Sequence, residues 1–446
     1  MNLKDVDFEI YNLIKQEEVR QNGKLQMIPS ENHTSKAVLE ALGSVLTNKY
    51  AEGYVGKRYY QGNEFVDSIE ELAINRAKEI FKVPFVNVQP YSGSPANTAV
   101  MFAILEPNDT ILGLSLNSGG HLTHGHPQVT FSGKYFKSVQ YEVNEAGFID
   151  YEKLRQLALE HKPKLIISGT TAYPRIIDFK KIYEISEEVG AYHLADISHI
   201  LGLVAVNAHP SPVEWSHIVM GTTHKTLKGP RGALIFVTNK GIEKNSELPS
   251  LIDKAVFPGL QGGPHNNVTA GIAVALEESK SNGFKEYAYA TVENAKELSR
   301  LLLEKDFKIV SGGTDNHLIL IDITNKDIDG WCFAWALDYA GIVCNRNSIP
   351  FDKKSAFYPS GIRLGTPAIT SRGLRKEHMK KIAEWIFEVS EISKKYISKD
   401  FENKDKRIRV KARNTFRQEI SRDKRIIEIS NEIKEFLKDF PVPTLD

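Results

Sequence analysis

The sequence predicts an α/β fold in two domains, on three observations. Between residue 67 and about residue 275, short apolar runs alternate with helix-periodic stretches, the pattern of a mostly parallel sheet covered by helices. From about 280 the pattern becomes helix-rich with fewer strands, as in a smaller α+β domain. At 446 residues the chain also exceeds the size at which a single core stops growing.

The elements follow in order. Residues 2–22 place Phe8, Ile10, Tyr11, Leu13 and Ile14 among charges at helical spacing, an amphipathic arm. Residues 23–66, rich in Gly, Tyr, Asn and Ser, read as an extended, loop-rich segment. Ile69–Phe81 is a helix and Phe85–Gln89 a strand. Ser92-Gly93-Ser94 then opens a helix running to Leu105. Strands are expected at Thr110–Leu114, Lys164–Ser168, Ala191–Asp196, His217–Met220 and Ala233–Val237, with a helix at Phe179–Val189. A long helix, Phe284–Leu303, leads to strands at Phe307–Val310 and His317–Asp322, and residues 393–425 are densely charged. The expected division is an arm over 1–22, a large domain over 23–279, and a small domain with a solvated helical tail over 280–446.

Composition excludes several classes. With 57 basic against 56 acidic side chains, nothing global favours nucleic acid or an anionic membrane surface. Cys332 and Cys344, the only cysteines, are too few for a disulfide framework. Neither a signal-peptide pattern nor a run of about 18 apolar residues occurs, so the expected setting is the cytoplasm.

Four constellations carry chemistry. In open α/β sheets, ligands gather at the carboxyl ends of strands. Ser92-Gly93-Ser94 follows one such end, where a glycine, a hydroxyl and a helix N-terminus make a phosphate seat. The plainer alternative is a helix cap at Ser94 with Pro95 in the first turn. Asp196 ends an apolar strand, with His199 three residues on. A carboxylate at that depth needs a cationic partner, and a protonated pyridine nitrogen would serve, although a turn cap explains it too. His224-Lys225 follows the next strand, where an amine of lowered basicity can form an imine with an aldehyde. Arg363, in Ser360-Gly-Ile-Arg-Leu-Gly-Thr-Pro367, suits a two-pronged grip on a substrate carboxylate, or a structural ion pair. The order along the chain is phosphate loop, Asp, Lys, Arg. It fits a pyridoxal-phosphate (PLP) enzyme of the aspartate-aminotransferase type, fold type I.

The chain further resembles the serine hydroxymethyltransferases from about residue 5 to 390. The resemblance rests on Ile28-Pro-Ser-Glu-Asn32, Leu46–Tyr54, Gly56–Tyr60, Gly119–Gly125, Asp196–Gly202, Thr222–Gly232, Phe257–Pro264, Val310–His317 and Ser360–Thr366. It implies a mostly parallel seven-stranded sheet and a defined set of roles. Lys225 would carry PLP as an internal aldimine, Asp196 would pair with the pyridine nitrogen, and His121 would stack on the ring. His199 would contact the ring hydroxyl and the substrate carboxylate. Ser92, Gly93 and Ser94 would hold the phosphate, with Thr171, Thr222 and His224 also lining the cofactor. Tyr50, Gly262 and Gly263 would reach the phosphate from a neighbouring subunit, which implies a homodimer or a tetramer built from it. Glu52 and Tyr60, from the same neighbour, would serve proton transfer and positioning. Ser30 and Arg363 would bind the substrate carboxylate, and Leu116, Gly120, Leu122 and Asn347 would contact the folate. The implied reaction is reversible conversion of L-serine and tetrahydrofolate to glycine and 5,10-methylenetetrahydrofolate through a glycine quinonoid. No metal is expected, because the His121, His124 and His126 spacing is irregular and lacks Cys or carboxylate company.

The sequence departs from the family pattern at Met220-Gly221, where threonines are usual, at Pro95, at Gln61, over His126-Pro-Gln128, and over Thr170–Pro174. Several of these lie near the expected carbon acceptor. They leave open a modified pterin carrier. The competing reading is a folate-independent PLP aldolase or transaldolase acting on threonine-like β-hydroxy amino acids, against which Glu52 and the folate-matching loop argue. A catalytically silent relative is disfavoured by intact Lys225, Asp196 and Arg363.

Overall fold

The computed structural model describes residues 1–127 and 129–445, so Gln128 lies outside the described residues. The chain divides into two compact units. One runs from Thr34 to Val292, and the other joins residues 1–33 to the chain from Glu293 onward. The division falls within the helix Asn282–Glu304, later than the expected boundary near 280.

Residues 23–33, expected with the large domain, belong instead with the C-terminal part. Leu25–Gln26 pairs in parallel with Ile342–Val343, and the Met27 amide donates to the Val343 carbonyl at 2.8 Å. Leu25 and Met27 are fully buried in that unit's core beside residues such as Trp385. The alternating apolar pair Leu25 and Met27 is the sequence sign of this placement, too short to show a period. The preceding arm forms two helices, Leu3–Val6 and Phe8–Asn22, with no buried side chain. The segment over 34–66 is less loop-like than its composition suggests. It holds a helix, Lys36–Leu42, and a tight hairpin pairing Gly53–Tyr54 with Lys57–Arg58.

The unit Thr34–Val292 is built on seven strands. These are β1 (Phe85–Asn87), β2 (Thr110–Leu114), β3 (Lys137–Tyr141), β4 (Leu165–Gly169), β5 (Tyr192–Asp196), β6 (Ile218–Thr222) and β7 (Ala233–Val237), in the spatial order β1-β7-β6-β5-β4-β2-β3. β2 to β6 run parallel, and β7 runs antiparallel to both β6 and β1. Every residue of β4, β6 and β7 is buried, as strands covered on both faces require. The strand missing from the sequence reading is β3. It is an edge strand of sequence Lys-Ser-Val-Gln-Tyr whose polar residues hide its period. Since β1, β4, β5 and β6 point the same way, the segments after them leave one edge of the sheet, and the candidate site is assembled there.

The other unit has a four-stranded antiparallel sheet ordered Lys308–Ile309, Leu318–Asp322, Gly361–Gly365, Asn345–Asn347. Its C-terminal helices are not merely solvated. Lys406–Ile420 buries Arg413, Phe416 and Ile420, and Lys424–Phe436 buries Ile426, Ile429 and Ile433. The Arg413 guanidinium pairs with Asp329 at 2.5 Å and lies against the Tyr358 ring at 3.9 Å. A narrow stripe at helical spacing thus does the packing under a high charge count.

Candidate active site

Asp196, the last residue of β5, is 6% exposed. Its Oδ2 accepts from His124 Nε2 at 2.9 Å and Asn97 Nδ2 at 3.0 Å, and its Oδ1 accepts from the Ser198 amide at 3.0 Å. Burial opposes ionisation. The His124 hydrogen bond, with His121 and Ser198, outweighs it and holds the carboxyl below the usual carboxylate range.

The surrounding bonds fix the tautomers. The His121 amide donates to His124 Nδ1 at 3.3 Å, which leaves the His124 proton on Nε2, toward Asp196. The Thr123 amide donates to His121 Nδ1 at 3.1 Å, so the neutral His121 ring carries its proton on Nε2. Asn97 Nδ2 gives one hydrogen to Asp196 and the other to Thr123 Oγ1 at 2.8 Å, and Thr123 Oγ1 lies 2.7 Å from His121 Nδ1. Asn97, Thr123 and His124 were not singled out as site residues from the sequence. The available signal for Asn97 was its isolation in the apolar helix Gly93–Ile104, where it is buried. For His124 the sequence suggests only a metal ligand, through its spacing from His121 and His126.

Lys225 follows β6 in a loop closed by its own threonines. Thr222 Oγ1 donates to the Ser198 carbonyl at 3.3 Å, Thr223 Oγ1 to the Pro230 carbonyl at 2.6 Å, and Thr226 Oγ1 to the His199 carbonyl at 3.0 Å. The Gly229 amide returns to the Thr223 carbonyl at 2.8 Å. His199 is 3% exposed, and the Lys225 side chain is half-buried. His224 is held neutral, its pKa pushed down to about 3 by burial and then by the charges of Lys225 and Arg231. Its Nδ1 is buried and finds no partner among the described residues. Met220 and Gly221, where the family has threonines, are accommodated locally. A Cβ at Gly221 would come within 2.9 Å of Leu201, and Ser198 Oγ rests on Met220 Sδ at 3.7 Å.

The third element is the helix N-terminus after β1. The helix begins at Gly93 with Ser92 at the cap position, and the Ser92 side chain does not close the first turn. The simple cap at Ser94 is therefore not formed. Pro95 is the third helical residue, where an amide would have had no intrahelical partner, so this departure removes no bond. A Cβ on Gly93 would come within 2.7 Å of Thr222 Cγ2, so this turn fits against the end of β6 only without a side chain. Thr171, after β4, donates through Oγ1 to the Gly120 carbonyl at 2.8 Å and ties that loop to the Gly119–Gly125 turn. Gly120 is buried there, whereas Leu122 stays exposed and Leu116 half-exposed.

Tyr50, Glu52, Tyr60, Gly262 and Gly263 form a second, open cluster in the same unit. The Tyr50 and Tyr60 rings meet edge-on at 5.1 Å, and Tyr60 Oη lies 3.4 Å from Glu52 Oε2. A Cβ on Gly262 would be 3.2 Å from Glu52 Oε1, and one on Gly263 would be 3.6 Å from the Tyr50 ring. The charge of Glu52, then slight burial and Tyr50, raises the Tyr60 phenol above its ordinary value, so it stays protonated at neutral pH.

Ser30 and Arg363 fall in the other unit. Arg363, on Gly361–Gly365, has its pKa lowered to about 10 by burial and donates through Nε to Asn345 Oδ1 at 3.2 Å. The Gly365 amide donates to the Met27 carbonyl at 2.8 Å, and a Cβ on Gly365 would come within 2.4 Å of Pro29. The Arg363 strand and the Ser30 segment are thereby stitched together. Asn347, on the neighbouring strand, bonds its own chain at the Ser348 carbonyl.

The residues fit PLP. Three donors occupy the Asp196 carboxylate, leaving about one of its roughly four lone-pair sites for a pyridinium N–H. The first turn at Ser92–Ser94 is not closed by its own cap, as an anion seat requires. A seven-stranded sheet with one antiparallel strand, a buried Asp at one strand end and a Lys after the next are features of the PLP enzymes of fold type I. A family model described as serine hydroxymethyltransferase matches residues 3–386. The chain is 58% identical over 377 residues to the serine hydroxymethyltransferase of Desulfotalea psychrophila, covering 84% of this chain and 87% of that protein. It is 51% identical over 442 residues to that of Sorangium cellulosum, covering 99% and 96%, and 54% identical over 385 residues to that of Methanosarcina barkeri, covering 86% and 92%. The chain belongs to the serine hydroxymethyltransferase family.

Proposed function

We propose that this chain converts L-serine and tetrahydrofolate reversibly to glycine and 5,10-methylenetetrahydrofolate, with PLP held on Lys225. The observation that carries the assignment of residues is the buried Asp196 carboxylate, kept ionised by His124 at the end of the strand beside the one that leads to Lys225. PLP, when bound, supplies an aldehyde that an amine can join and an electron sink for charge developing on the substrate α-carbon.

The chain's own residues do the rest. Lys225 would supply the amine that holds the cofactor. Asp196 stays anionic and favours a protonated pyridine nitrogen opposite it. Ser92, Gly93 and Ser94 seat the phosphate on first-turn amides and hydroxyls, and Thr171, Thr222 and His224 line the cofactor. His121, its tautomer set by Thr123, would pack against the cofactor ring, and His199 would hold the ring hydroxyl and the substrate carboxylate. Arg363 and Ser30 hold the substrate carboxylate. Glu52 moves a proton at the serine hydroxyl oxygen, with the Tyr60 phenol orienting it. One carboxyl can donate there and later accept, which general acid–base catalysis favours. Leu116, Gly120, Leu122 and Asn347 contact the folate. Glu52, Tyr60, Tyr50 and the Gly262-Gly263 turn serve the site of a neighbouring copy in a homodimer.

Two measurements test this reading. Protein loaded with PLP and then freed of excess cofactor should keep an absorbance band at the edge of the visible that Lys225→Ala abolishes. Serine cleavage should accelerate on addition of tetrahydrofolate. A wild type without the band, or without acceleration, would overturn the assignment.

A further inference from the structure

One buried side chain near Glu52 has no part in the chemistry above. Arg58 sits opposite Gly53 in the hairpin pairing Gly53–Tyr54 with Lys57–Arg58, and its side chain is 3% exposed. Its fork is almost fully used. Nη1 donates to the Ala51 carbonyl at 2.9 Å and to the Gly53 carbonyl at 2.7 Å, the two carbonyls on either side of Glu52. Nε donates to Asp67 Oδ1 at 2.8 Å and Nη2 to Glu70 Oε2 at 2.7 Å, so the helix Glu64–Phe81 anchors the guanidinium. Gln89, just past β1, braces the same point, donating through Nε2 to the Gly53 carbonyl at 3.0 Å and to Glu70 Oε1 at 2.9 Å. The Glu52 carbonyl is taken by the Tyr59 amide at 3.0 Å. The turn permits no slack, because Gly53 has φ +100 and a Cβ there would be 2.3 Å from the Lys57 carbonyl. The backbone that carries Glu52 is thus clamped on three successive carbonyls, and Glu52 itself is half-buried.

We infer that Arg58 is a positioning residue for Glu52: its guanidinium transmits the rigidity of the Glu64–Phe81 helix to the hairpin and fixes where the Glu52 carboxyl meets the transferred proton. This rests on the proton-transfer role proposed for Glu52. Lysine keeps the charge at this position but has no planar fork to span two carbonyls and two carboxylates at once. Displacement of a catalytic group by about 1 Å is enough to slow a reaction by as much as about 100-fold.

The test is a double-mutant cycle on the PLP-loaded enzyme with tetrahydrofolate, using Glu52→Gln, Arg58→Lys and the pair, with cofactor absorbance and melting temperature alongside. R58K is expected to lower kcat by about tenfold or more while leaving the KM for serine within about twofold. In the E52Q background it should lower kcat no further, since a group acting only through Glu52 has nothing left to position. A merely structural Arg58 would slow both backgrounds by the same factor, and that result overturns the inference, as does R58K at the wild-type rate beside a slow E52Q. E52Q at the wild-type rate would instead remove the role of Glu52 itself. Should R58K not fold, Asp67→Asn, which loosens the anchor from its partly exposed side, is read by the same criteria.

Discussion

Around Asp196 the carboxylate is answered by His124, Asn97 and the Ser198 amide of the same fold, and the residue is 6% exposed. Around Glu52 the backbone is held as firmly, yet Tyr50 and Tyr60 are 58% and 44% exposed and Tyr60 reaches Glu52 only at 3.4 Å. Both regions lie in the unit Thr34–Val292. The difference teaches that one is finished by its own chain, whereas the other presents reactive side chains outward. That is the arrangement expected if Glu52 and its neighbours complete a site on another copy, and clustered tyrosines are common at such interfaces.

The comparison can be broken at several strengths. The largest effect is expected from Lys225→Ala, which removes the amine outright. Serine turnover should fall by about 10³-fold or more and the visible-edge absorbance should vanish, as measured by initial rates and a spectrum. Next is Gly93→Ala. The new methyl would meet Thr222 Cγ2 at 2.7 Å, and overpacking of this kind costs about 1–3 kcal/mol, so PLP affinity should weaken by about tenfold or more in an absorbance titration. Thr222→Ser added to that variant removes the clashing methyl and should recover much of the loss.

A third prediction concerns pH. Asp253 accepts from Asn87 Nδ2 at 2.7 Å beneath the hairpin, and burial raises its pKa from 3.8 to about 6. The folded protein therefore keeps a proton that the unfolded chain releases at lower pH. Stability from this group is full below the ordinary carboxylate value and declines as pH rises through about 6. Asp253→Asn should accordingly be more stable than the wild type above pH 6, by on the order of 2 kcal/mol, and equal to it near pH 4. Melting curves at the two pH values check this, and a gain that is the same at both contradicts it. The smallest effect belongs to Tyr60→Phe. A hydrogen bond as long as 3.4 Å at an exposed site is weak, so kcat should fall by only about fivefold or less.

The two regions also differ in how legible they were. The strand ends carrying Asp196 and Lys225 stood out because apolar runs terminate abruptly in polar residues, and β5 and β6 begin and end within two residues of where periodicity places them. His124 and Asn97 did not stand out, since their partner Asp196 lies 72 and 99 residues away and no local pattern records such a bond. The cap at Ser92 was misplaced by two residues, because Pro95 imitates a first helical residue. The clustering of Glu52 with Gly262 was legible only by resemblance, being a contact between two loops. Residues 23–33 went to the wrong unit because a two-residue strand is too short to show a period.

The most direct test of the contrast is complementation between two crippled chains. Lys225→Ala and Glu52→Gln, each nearly inactive alone in folate-dependent serine turnover, are unfolded together in equal amounts and refolded with PLP. If Glu52 serves the neighbour's Lys225, half of the dimers are mixed and each has one intact site, so activity should return to about a quarter of the wild-type value. If each chain completes its own site, no mixture contains an intact one, and activity that stays at the level of the separate variants would contradict the account.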